Sequence, residues 1–457
     1  MNRFKNLFLA FITISTLMLS SCAAPEVDTN EAQIDAITAH PEWSKDASIY
    51  EVNIRQYSEE GTFNAFREDL PRLEAMGVDI LWLMPIHPIG EKNRKGPLGS
   101  YYSIQDYKAV NPNFGTEEDF KALVSEAHDL GMKVIIDWVA NHTAWDNPWT
   151  ENKDWYELDE NGNFIPPRGT DWTDVIQLDY ENEEMRAAMT DAMEYWVRNF
   201  GVDGYRCDVA GMVPLDFWKG VRAKLDDIKP VFMLAEDEGP EMHEAFDMTY
   251  AWSYAHIIRE IAAGNDDFGT LDSLMEVEET KFPESAYRMY FTTNHDENSW
   301  NGTDPGMYGD NFENFAVLSA TIDGMPLIYN GQESNLDKQL EFFEKDEIEW
   351  KDYEYQAFYT MLLQLKEDNE ALWNGQYGGD LNIFESPEQT YAYKRVKGDD
   401  WVFVYLNNST ESINVPLEDY EIPVDASTYE IYSEQLPPTE NGYFEVAPNS
   451  WLLIAND

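Results

Sequence analysis

Two kinds of residue are scarce in this chain. Of its 457 residues only two are cysteine, Cys22 and Cys207. Lys and Arg together number 31 against 87 Asp and Glu, a formal net charge of −56. The missing basic surface excludes nucleic acid as a partner, because phosphate backbones are bound through Lys and Arg footprints. Anionic membrane surfaces and polyanionic substrates are disfavoured on the same ground. The charge selects no ligand; it leaves a neutral one open. Internal repeats and low-complexity tracts are also missing. Aromatic residues, by contrast, are abundant at 14%, with 15 Trp and 26 Tyr. They fill cores and also stack on ligands with flat apolar faces, such as sugars and bases. A hydrophobic share of 43% is enough for a sizeable core.

The N-terminus, "MNRFKNLFLAFITISTLMLSSC", has a basic start, an apolar stretch and then small residues. That pattern predicts a secretory signal over residues 1–22 rather than a stable spanning helix. Its end, Leu19-Ser20-Ser21-Cys22, resembles a bacterial lipobox. The resemblance implies cleavage before Cys22 and lipidation there. The chain is then expected to be exported and lipid-anchored to the bacterial outer membrane, on its periplasmic or cell-surface face. Residues 23–44 read as a mostly polar tether. With Cys22 lipidated, no internal disulfide remains, so the core must supply stability. Cys207 lies in an apolar strand pattern and is expected to be buried and inert.

Eight short apolar runs follow, at 48–53, 79–85, 133–139, 202–209, 231–236, 246–250, 289–295 and 326–331. Segments with helical apolar spacing separate them, such as "EEDFKALVSEAHDLGM". Strands alternating with helices predict βαβ units and a parallel sheet. The fold class is therefore α/β: a (β/α)8 TIM barrel over residues 45–374. The long polar interval after the third run predicts a short inserted domain at about 143–185. From residue 375 to 457 the runs alternate with turn residues and lose the helical period. That predicts a C-terminal antiparallel β-sandwich.

In such a barrel the active site forms at the C-terminal ends of the strands. The residues ending these runs are Asp137 with Asn141 and His142, then Arg206 and Asp208, Glu236, and His295 with Asp296. Arg206 and Asp208 are two apart and so share a strand face. Two nearby carboxylates of unlike pKa are what retaining glycoside hydrolysis requires, at a separation of about 5–5.5 Å.

The segments "DWVANH" (137–142), "GYRCDVAGM" (204–212), "LAEDEGP" (234–240) and "FTTNHDENSW" (291–300) resemble, in order, the four signature motifs of the α-amylase family, glycoside hydrolase family 13. "GSYYSIQDYKAVNPNFGT" and "GMPLIYNGQE" are similar to two further family segments. The resemblance covers roughly residues 45–374 and implies an enzyme acting on α-glucan. It implies Asp208 as nucleophile, Glu236 as acid/base and Asp296 as stabiliser of the transition state. Tyr102, His142 and His295 would contact the sugar, and Arg206 would position Asp208. Family calcium sites imply Ca2+ with Asn141 among its ligands; Gln177 stands where an Asp is common, and Asp171, Asp174 or Asp179 could substitute. Gly211-Met212 replaces the His or Lys found late in many second motifs. The activity implied is cleavage of α-1,4 bonds in starch-like glucans and maltooligosaccharides. Cyclomaltodextrinase, neopullulanase-like or glucanotransferase activity within the same family stays open, as does a non-catalytic glucan-binding lipoprotein.

Overall fold

The computed structural model describes residues 34, 36–37, 39–423, 429–432 and 442–456. The expected signal segment, the lipidation site Cys22 and most of the tether lie outside the described residues. Among the described residues no helix is long and apolar enough to cross a membrane.

The chain lays down β1 (Ile49–Val52), β2 (Ile80–Leu83) and β3 (Lys133–Trp138). A separate ribbon of β4 (His142–Ala144) and β5 (Val175–Gln177) follows, antiparallel, with His142 opposite Gln177. Next come β6 (Gly204–Cys207), β7 (Phe232–Ala235), β8 (Met248–Tyr250), β9 (Tyr287–Tyr290) and β10 (Met325–Tyr329). Eight of these close into a barrel of order β1-β10-β9-β8-β7-β6-β3-β2. All eight apolar runs read from the sequence become barrel strands. The small ribbon lies in the expected insertion, together with the short helical turns Pro148–Glu151 and Lys153–Trp155.

Local chemistry starts and stops the surrounding helices. Thr116 and Asp119 form a reciprocal capping box on helix Glu117–Asp129. Helix Glu183–Phe200 begins at Asn182, whose Oδ1 accepts from the Glu184 and Met185 N–H groups, and stops at Gly201 with φ 76°. One glycine is demanded by close approach. A Cβ on Gly204 would stand 1.8 Å from the Phe232 carbonyl oxygen. Only glycine lets β6 lie in register with β7, the two strands that carry Asp208 and Glu236 past their ends.

Two details differ from the sequence reading. β9 ends at Tyr290, so His295 and Asp296 do not terminate a strand. They enter a helical turn, Glu297–Asn301, started by Asn294 Oδ1 accepting from the Glu297 N–H at 2.8 Å. The end of the polar tether is also built into the barrel base. His40 is 8% exposed, with Nδ1 2.8 Å from Asp247 Oδ1 and Nε2 2.8 Å from the Ser285 carbonyl oxygen. Partners more than 200 positions away made this segment look like free linker.

The C-terminal region has β11 (Asp380–Phe384), β12 (Thr390–Lys397), β13 (Asp400–Asn407), β14 (Ile413–Pro416), β15 (Glu430–Ile431), β16 (Tyr443–Val446) and β17 (Ser450–Ala455). An antiparallel sheet of order β11-β12-β13-β17-β15 faces the pair β14-β16. Phe403, Tyr405, Leu452 and Ile454 pack against Val415, Leu417, Phe444 and Val446 between them. The opposite face, with Tyr393, Val404 and Leu453, joins the main core around the barrel.

Candidate active site

Arg206 organises the barrel top. Its guanidinium is fully buried, between the rings of Trp82 and Tyr250 at 5.2 and 5.6 Å. NH1 donates to Asp137 Oδ1 at 3.0 Å and to Asp208 Oδ1 at 3.3 Å. NH2 lies 2.9 Å from Glu236 Oε2. One cation therefore faces three carboxyl groups from three strands. The second oxygen of Asp208 is different: Oδ2 is buried and has no hydrogen-bond partner.

Burial, followed by the Glu236 charge, pushes Asp208 well above the usual carboxylate range. Burial also raises Glu236, against the pull of Arg206. Two like charges on one guanidinium repel, so the dyad keeps a proton to higher pH than an isolated acid. The backbone N–H of Val209 donates to Glu236 Oε2 at 2.7 Å and fixes that carboxyl across the cleft mouth.

A second network holds the opposite wall. His295 Nδ1–H donates to Glu51 Oε1 at 2.5 Å, and the His295 backbone N–H donates to Glu51 Oε2 at 3.2 Å. His295 Nε2 lies 2.8 Å from the Tyr102 hydroxyl and 3.3 Å from Asp296 Oδ2. The Tyr102 hydroxyl donates to Asp137 Oδ2 at 3.1 Å. Burial pulls the His295 imidazolium down, but the Asp296 and Glu51 carboxylates raise it to about 9. His295 is therefore a cation at neutral pH. His142 is the reverse case: burial lowers it to about 3, leaving a neutral ring.

Tyr102, His142, Asp208, Glu236, His295 and Asp296 all line one cavity of about 520 Å³. This is the size of a small-molecule site with apolar walls and a few convergent polar groups. Trp172 from the insertion and Trp300, Phe342 and Phe343 complete its walls. Arg206 stands behind the acids. Asn141 does not line the cavity; it is fully buried beside it. Glu51 is the member that the sequence reading missed. A charged residue inside the apolar run "SIYEVN" was the available signal. Cys207 is free and buried, as expected.

The residues around Asn141 do not fit a calcium ion. Gln177 Nε2 donates to Asn141 Oδ1 at 2.9 Å, to the Asn141 carbonyl oxygen at 3.1 Å and to the Leu178 carbonyl oxygen at 3.2 Å. Hard cations need these oxygens free and anionic ligands beside them. Among the described residues no three His, Cys, Asp or Glu side chains form a metal-binding group.

A parallel eight-stranded barrel whose strand ends converge two buried carboxyls on one apolar-walled cleft has the layout of a glycoside hydrolase. The family model "Alpha amylase, catalytic domain" matches residues 28–173 and 169–373. The chain belongs to the α-amylase family, glycoside hydrolase family 13. It is 30% identical to an α-amylase of known structure from Lactobacillus plantarum, covering 91% of this chain and all of that one, with a TM-score of 0.79. A noncanonic maltogenic α-amylase from Thermotoga neapolitana is likewise 30% identical, over 91% of this chain and 99% of the other, with a TM-score of 0.78. Alpha-amylase MalA of Haloarcula japonica is 28% identical over 82% of this chain. The present chain spans 57% of the length of that relative.

Proposed function

We propose that this chain is a retaining glycoside hydrolase cleaving α-1,4-glucosidic bonds in starch-like glucans and maltooligosaccharides. The observation that carries the reading is the pair Asp208 and Glu236, two buried carboxyls lining one cavity, with Asp208 Oδ2 free of any hydrogen-bond partner in the protein. A carboxylate oxygen with free lone pairs is what nucleophilic attack needs.

In the reaction Asp208 Oδ2 attacks the anomeric carbon and forms a glycosyl ester. The bond to the leaving glycosidic oxygen breaks as Glu236 delivers its proton to that oxygen. Glu236, now a carboxylate, takes a proton from water. The water oxygen displaces Asp208 and regenerates both groups. The positive anomeric centre favours ionised Asp208, which leaves the raised Glu236 as the group that carries the proton. The imidazolium of His295, the His142 ring and Asp296 hold the hydroxyls of the sugar under attack. Asp296 suits a solvent-side clamp, its side chain being 34% exposed. Its negative charge also stabilises the oxocarbenium character that develops.

Gly211-Met212 supplies no His or Lys where many family members carry one, and Met212 is 42% exposed. That favours a second reading, in which varied acceptors are used and cyclodextrin, pullulan or transfer chemistry dominates. Product analysis on soluble starch, maltoheptaose, pullulan and β-cyclodextrin separates the two. Short mixed maltooligosaccharides from starch support α-amylase action. Fast cyclodextrin opening or panose from pullulan moves the assignment to the second reading. No product from any of the four leaves only glucan binding.

Lipid anchoring at Cys22, on the outer membrane, is part of the same proposal and rests on the lipobox resemblance. Metabolic labelling with palmitate, compared with Cys22→Ser, tests it.

A further inference from the structure

Gln177 lies opposite His142 in the small ribbon and is nearly buried. Its amide nitrogen faces three oxygens at 2.9–3.2 Å. Two of these are backbone carbonyls, which only accept, so the group facing them must be the N–H2 end. The third, on the Asn141 side chain, must then be Oδ1. That places Asn141 Nδ2 toward His142, 3.2 Å from Nδ1. An amide nitrogen only donates, so His142 Nδ1 is the accepting nitrogen and the ring proton sits on Nε2. The orientation of three side chains thus follows from two carbonyl oxygens.

We infer that the Gln177 carboxamide takes the place of a divalent cation, gathering three oxygens that ligate hard ions and fixing the His142 tautomer through Asn141. Convergent carbonyl and amide oxygens are the ligand type of calcium. Two N–H groups neutralise them here with no ion. They tie the insertion to the chain leaving β3, and no anionic ligand is required. Gln177 is a positioning residue: it touches no substrate, yet through Asn141 it fixes which His142 nitrogen carries the proton. The His142 consequence rests on the glycosidase reading; the metal-free linkage does not.

Thermal unfolding of the full chain in EGTA and in CaCl2 tests the linkage without any activity measurement. The wild type is expected to show one Tm in both media and no heat on calorimetric titration with CaCl2. Gln177→Glu keeps the shape but places a carboxylate among the three oxygens. Its Tm should fall in EGTA and recover with CaCl2, because a ligand that binds only the folded state stabilises it. A saturable calcium-dependent rise in wild-type Tm would overturn the inference. So would a Gln177→Glu protein indifferent to calcium. Should Gln177→Glu fold in neither medium, the wild-type titration decides: binding heat overturns the inference, and its absence supports it. For the positioning role, Gln177→Ala should lose on the order of tenfold in kcat on maltoheptaose, with a smaller change in KM and no rescue by CaCl2. Wild-type kcat in that variant would refute the link to His142 and leave the metal result standing.

Discussion

The backbone N–H of Val209 donates to Glu236 Oε2 at 2.7 Å, from a residue held at φ 38° and ψ 50°. A β-branched side chain in the left-handed region is strained by about 1–3 kcal/mol. The strain sits directly after Asp208 and aims one peptide at the partner acid. Val209→Gly should therefore keep or raise Tm while lowering kcat on the order of tenfold, because the relaxed peptide no longer pins Glu236. Differential scanning calorimetry with steady-state kinetics checks both halves. A drop in Tm with unchanged kcat would contradict the argument.

The two carboxyls should separate by leaving group. Asp208→Asn removes the nucleophile and should abolish turnover of maltooligosaccharides and of α-maltosyl fluoride alike. Glu236→Gln should lose about 10²–10⁴-fold on maltooligosaccharides. It should retain much of its rate on the fluoride, which leaves without protonation. Proton NMR of the first-formed product should show the α-anomer. An inverted product would rule out the glycosyl ester.

His295 links pH to stability. Its folded pKa, about 9, lies above the ordinary 6.5. The corresponding stabilisation is fully present below pH 6.5 and lost as pH rises through about 9. Tm should accordingly fall across that window. Glu51→Gln removes one of the two carboxylates that hold the charge, so this variant should lose Tm at neutral pH and show a flatter alkaline slope. An unchanged slope would mean that the imidazolium is not held by Glu51.

Trp300 is 58% exposed at the cavity edge, its ring 5.5 Å from that of Phe342. Phe342 in turn stacks on Tyr102, with 6.4 Å between ring centres. Trp300→Ala should leave Tm unchanged, because little is buried. It should raise KM for maltoheptaose roughly fivefold, from about 1 kcal/mol of lost stacking. An unchanged KM for maltoheptaose would place Trp300 outside the binding path.

Much of the molecule is legible along the chain because the relevant physics is local. Alternating apolar runs and helical spacing are enough for the barrel, and the i, i+2 spacing of Arg206 and Asp208 is enough to put them on one face. Glu51 was not legible. It looks like an isolated charge until β1 and β9, more than 200 residues apart, curve toward the same end and set it under His295. The same distance hid His40 against Asp247 and made the last tether residues read as linker.

What the sequence by itself determined is the list of strands, the order of the acids and the odd Gln at position 177. What only the tertiary structure decided is electrostatic and directional. Burial around one guanidinium raises two ordinary carboxyls above their usual range. Closure of the barrel places Glu51 and Asp296 on either side of an imidazole and keeps it charged. Pairing of β4 with β5 turns a Gln into the centre of an oxygen cage. Each of these depends on distances of a few ångströms between residues far apart in the chain, and Coulomb and hydrogen-bond energies are set by those distances.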